Sequence, residues 1–92
     1  MARVVVIGPN YRRSFVTVGF RFGSKASLAV GRAIRELADA AELPEADARG
    51  LVPNVDGEGV STWAEAWWIS EAGLWLWYRA DERSVTLIAL SR

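Results

Sequence analysis

The chain contains neither cysteine nor histidine. Without cysteine no disulfide or thiolate metal site can staple the fold. Without histidine the Ser-His triads, imidazole bases and usual zinc sites are excluded, so no metal centre and no cofactor is expected. Any proton transfer is left to Asp, Glu, Tyr, Lys or the chain termini. Long hydrophobic runs are also missing. The first eight residues hold one arginine and only four consecutive apolar residues, too few for a signal peptide or a membrane span. A cytoplasmic protein without membrane association is therefore expected.

The 92 residues suffice for one domain, spanning 1–92, with one core. Half of them are apolar and a quarter charged, which is the composition of a folded globular protein rather than a disordered one. The net charge is zero but unevenly spread. Residues 1–35 carry seven basic groups and no acid, while residues 36–92 carry eleven acids and four arginines, so the two parts are +7 and −7. Such asymmetry can steer an anionic partner, with Arg12, Arg13 and Arg21 as nucleic-acid contacts. The plainer explanation is attraction between the two parts, and it is preferred because dedicated nucleic-acid binders are usually basic overall.

All five tryptophans fall in the last thirty residues, where 62–70, 74–80 and 84–90 read as three strands joined by the turns 71–73 and 81–83. Side chains alternate along a strand, so Leu74, Leu76 and Tyr78 share one face while Trp75, Trp77 and Arg79 share the other. Trp67 and Trp68 must likewise part, one of them joining Trp63 and Ile69. Both faces are largely apolar, and one helix layer can cover only one. A face with Trp75, Trp77 and one of Trp67 or Trp68 is therefore either core or a partner-binding patch, tryptophan being enriched in such surfaces.

Upstream, the β-branched run 3–7 closed by Gly8-Pro9 reads as a strand and turn. Residues 24–42 read as a helix: Val30, Ala33, Ile34, Leu37, Ala38 and Ala41 recur on one face, Ser24 is a plausible N-cap, and Pro44 ends the pattern. Arg32 with Glu36 and Arg35 with Asp39 are spaced to pair across a turn or to form a solvated face. Residues 11–22 fit either state. Val16, Val18, Phe20 and Phe22 alternate like a strand, which local propensity favours, whereas Tyr11, Phe15, Val18 and Phe22 line one side of a helix. Residues 43–60 read as a connection with a helical turn near 46–49.

Two segments imitate ligand loops and fail on spacing. Gly19 to Lys25 lacks the four residues between glycines and the lysine directly after the second one that a phosphate loop needs, and a helix-capping turn explains it better. Asn54-Val-Asp56-Gly57-Glu58 lacks the first acidic ligand and the correctly placed bidentate glutamate of a calcium loop.

The segment from Gly73 through Leu90, a glycine before a strand ending near a tyrosine, an acidic turn and a closing apolar strand, resembles the end of RelE/ParE-type toxins of bacterial toxin–antitoxin modules. Gly23-Ser24 opening the long helix and Ala48-Arg49-Gly50-Leu51 before the sheet sit at similar spacings. The resemblance implies an α+β single domain: an N-terminal strand, one or two helices (10–22 being the first of a pair), and a C-terminal antiparallel sheet on which they pack. It also implies a cognate antitoxin lying across the toxin, and a target in the ribosome, its mRNA or a topoisomerase. The departures are specific. Trp75 stands where mRNA-cleaving members carry a basic residue, residues 62–70 contain none, and only Arg92 matches a late basic position.

The expected function is thus a toxin that inhibits translation by mRNA cleavage, or another essential process, and is neutralised by an antitoxin. If it cleaves RNA, Arg79 and Arg92 would supply positive charge and Glu65, a carboxylate on the strands, an acid or base. Partner contact would fall to Trp67, Trp68, Trp75 and Trp77. The alternative is a non-enzymatic interaction module or homodimer using the tryptophan-rich face.

Overall fold

A computed structural model of the chain describes residues 2–52 and 62–92. Its elements run β1 (Val4–Ile7), α1 (Tyr11–Val18), α2 (Lys25–Asp39), β2 (Ala48–Val52), β3 (Thr62–Ile69), β4 (Leu74–Ala80) and β5 (Ser84–Ser91). The strands form one sheet in the order β1-β5-β4-β3-β2, antiparallel throughout except that β1 runs parallel to β5. This is the α+β architecture expected from the sequence, with an N-terminal strand and two helices on a largely antiparallel sheet.

Both helices lie on one face. Tyr11 and Val18 of α1 and Ala29, Val30, Ala33 and Leu37 of α2 share a buried cluster with Ile69, Leu74, Leu76, Tyr78, Val85, Leu87 and Leu90. The alternation of β4 thus sends Leu74, Leu76 and Tyr78 into the core, and Trp67, opposite Leu76, packs against the same cluster.

Residues 11–18 resolve as helix although their propensity leans to strand. Tyr11, Ser14 and Val18 recur at helical spacing and are buried, α1 lying against β5, while Val16 points to solvent. Tertiary burial overrides a propensity difference of a few tenths of a kcal/mol per residue. The helix is shorter than 10–22 because Gly19, at φ 68°, adopts the left-handed conformation and its N–H bonds back to Phe15 and Val16. Helix α2 begins as expected: the Ser24 hydroxyl accepts from the Ser27 N–H at 3.2 Å. It ends at Asp39, so Ala41 lies beyond it and exposed. Arg32 pairs with Glu71 at 2.5 Å rather than with Glu36, and both side chains are largely exposed, which limits the pair to under about 1 kcal/mol.

The helical turn expected near 46–49 is replaced by β2, which pairs with β3 from Ala48 opposite Ala66 to Val52 opposite Thr62. Residues 54–58 lie outside the described residues. Gly8 is required by proximity, since a Cβ there would sit 2.5 Å from the Leu87 carbonyl oxygen. In β5, Leu87 faces Tyr78 and Ala89 faces Trp77, so Ile88 is an extra, bulged residue. The bulge reverses the alternation beyond it, turning Leu90 into the core and Ser91 to the outer face.

Candidate functional site: the tryptophan face

The face opposite the helices is built from Gly50 on β2, Ala64, Ala66 and Trp68 on β3, Trp75, Trp77 and Arg79 on β4, and Ala89 and Ser91 on β5. Ala64 and Ala66 are 0% exposed although no helix covers them. Trp77 explains this. Its indole N–H donates to the Ser91 hydroxyl on β5 at 2.8 Å, while its six-membered ring approaches Gly50 on β2, 3.8 Å from where a Cβ would stand. A ring rooted on β4 reaches β2 only by crossing β3, two strand spacings of about 4.8 Å, so the indole lies flat over the alanines. The small residues are the floor that allows it to do so.

Beside this lid, Trp68 and Trp75 face each other across the strands with ring centroids 5.2 Å apart and planes at 57°. Trp68 is 41% exposed and Trp75 half-buried. Among the described residues no element lies over this pair. The tryptophan that shares a face with Trp75 and Trp77 is therefore Trp68. Trp67, also suggested for partner contact, lies instead on the helix-bearing face, opposite Leu76, and is partly buried against the core.

The three residues suggested for RNA cleavage do not converge. Glu65 stands opposite Tyr78 on the helix-bearing face, where it lies 3.8 Å from Arg49. Arg79, the next residue after Tyr78, points to the other face. Arg92 follows Ser91, which pairs with Trp75 at the far end of β4, and its guanidinium donates to the Val18 carbonyl at 2.5 Å, closing the C-terminus of α1. Four residues of strand separate Trp75 from Arg79, roughly 13 Å. Glu65 and Arg79 thus lie on opposite faces of the sheet, and Arg92 follows the strand end at the other end of β4.

No family model, curated protein or solved structure matches the chain. The site therefore has to be read from its own chemistry. Burial pushes the Tyr78 hydroxyl pKa up, and the negative charges of Glu65 and Asp47 add to it, so this phenol is held protonated rather than activated. Among the described residues, no three acidic side chains group to hold a metal ion. Arg12 and Arg13 sit in the first turn of α1 and Arg21 beyond its end, all three exposed. No helix among the described residues is long and apolar enough to cross a membrane.

One role went unread in the sequence. Arg3 looks like one more surface cation but is 8% exposed. Its Nε donates to the Asp81 carbonyl at 2.6 Å, and its Nη1 donates to the carbonyls of Leu37 at 3.2 Å and Ala40 at 2.5 Å. It joins the β4–β5 turn to the C-terminus of α2, where a cation complements the helix dipole. Only its place just before β1, beside that helix end, could have singled it out.

Proposed function

We propose that this chain is the toxin component of a bacterial toxin–antitoxin module that acts by protein contact rather than by cleaving RNA, and is held inactive by an antitoxin laid across its sheet. The observation that carries the reading is the face that no element among the described residues covers, with Trp68 and Trp75 in contact at a tilt of 57° beside Trp77. It joins large apolar rings with satisfied polar groups, as protein-binding patches do. The order of strand, two helices and antiparallel sheet supports the family resemblance, and the separation of Arg79, Arg92 and Glu65 favours contact over catalysis. A topoisomerase or the ribosome suits such a surface as target.

The test is induction of the chain in a bacterial host with and without the small reading frame beside its gene, following growth, translation and DNA synthesis. Growth arrest relieved by the neighbour is expected, and the process that stops first names the target. Normal growth at verified soluble expression would refute the toxin reading. The second reading, an interaction module or homodimer without toxicity, draws on the same failure of the charged residues to converge. It predicts a partner lost on Trp68→Ser and Trp75→Ser with growth unaffected throughout.

A further inference from the structure

The edge strand β1 is a second apolar surface, distinct from the tryptophan face. Among the described residues it pairs only with β5, and its sequence Val-Val-Val-Ile carries none of the lysines, prolines or inward charges that usually blunt an edge. The Val4 and Gly8 amides donate to Arg83 and Leu87 on the β5 side, so by alternation Val5 and Ile7 direct their N–H and C=O groups to the free edge. That edge is blocked just before, where the Arg3 amide donates to Ala38 at the end of α2. Among the described residues, no strand pairs with Val5 or Ile7.

The side chains of these two residues, 38% and 46% exposed, border a cleft of about 310 Å³ between the helices. Phe15, Phe20, Phe22 and Ile34 line it further. The phenylalanines cluster with centroids 4.6–5.7 Å apart, Phe22 edge-on to Phe15 and Phe20 and those two tilted at 31°, yet Phe22 remains 83% exposed. Unpaired strand groups next to an apolar cleft are what an added strand requires: hydrogen bonds along its backbone and a pocket for alternate side chains.

Charge selects the occupant. The segment that contains β1, α1 and the start of α2 carries Arg12, Arg13, Arg21 and Lys25 with no acid before Glu36, whereas Asp39, Asp81 and Glu82 lie toward the Val4 end. We propose that β1 accepts an extended segment of a partner protein, pairing with Val5 and Ile7, placing alternate aliphatic side chains in the phenylalanine cleft and an acidic end over the arginines of α1.

The probe is a ten-residue peptide alternating Val or Ile with Ser and ending in two glutamates, titrated into the full chain with amide NMR and hydrogen exchange. Binding that protects the Val5 and Ile7 amides is expected, weakened at least tenfold by Val5→Pro, which removes an outward N–H without touching the β5 ladder. Ile7→Lys, which keeps the backbone intact, should weaken it similarly, while Trp68→Ser should leave it unchanged. A peptide with lysines for the glutamates should bind at least tenfold more weakly. Absence of binding at millimolar peptide, affinity indifferent to Val5→Pro and Ile7→Lys, equal affinity for the lysine peptide, or a dimer of the free chain abolished by those substitutions would each overturn the proposal.

Discussion

Replacing Arg3 by methionine keeps an unbranched side chain of similar length but deletes the guanidinium that reaches the carbonyls of Asp81, Leu37 and Ala40. Hydrogen bonds from a charged donor contribute about 1.5–3 kcal/mol each, so three amount to roughly 5–9 kcal/mol before offsets. Relief from burying the cation returns part of this, and two of the three contacts are only part-buried, which lets water replace them. The net expectation is a loss of about 2–4 kcal/mol from a total that for a chain of this size is on the order of 5–14 kcal/mol. With a urea slope of about 1 kcal/mol/M, the midpoint should fall by about 2–4 M. Arg3→Lys, a point charge able to satisfy fewer of the carbonyls, should lose about half as much. A shift for Arg3→Met below about 0.5 M would refute the reasoning, showing that water serves the helix end as well as the arginine does.

Trp77→Ser should cost about 2–3 kcal/mol, because it uncovers Ala64 and Ala66 as well as losing its own contacts, whereas Trp68→Ser should cost under about 1 kcal/mol; equal losses in urea melts would contradict the flat-lid geometry. Ser14→Ala removes the hydroxyl that accepts from the Leu90 N–H at 2.9 Å in a buried setting and should destabilise by about 1–3 kcal/mol, with faster exchange of that amide in particular. Burial raises the Tyr11 pKa to about 12 from 10.0. Its stabilising share is therefore complete below pH 10 and lost as pH rises toward 12, since the unfolded chain ionises first, and Tyr11→Phe should flatten that decline in thermal melts. The Arg83 and Ser84 backbone amides hold the Asp81 carboxyl below its usual pKa, so its share is present above about pH 4 and disappears as pH falls further; Asp81→Asn should lose part of the acid dependence.

Strong local patterns made the second helix and the three C-terminal strands legible. Ser24 starts α2 and its three- and four-residue apolar spacing runs through Leu37, while strict alternation in β4 assigns Leu76 and Trp77 to opposite faces whatever their surroundings. The absence of cysteine and histidine likewise bounds the chemistry before any coordinates. Residues 11–18 became helix only because β5 offers a surface that buries Tyr11, Ser14 and Val18 together. The five-residue β2 carries a glycine, an arginine and an alanine and has little strand signal of its own; pairing with β3 makes it a strand. The bulge at Ile88, which sends Ser91 to the Trp77 indole, and the burial of Arg3 at a helix end depend on neighbours thirty or more residues away or on strand register. Spacing within a segment is written in the sequence, whereas the partners of a polar group and the covering of a face are fixed only when distant segments meet.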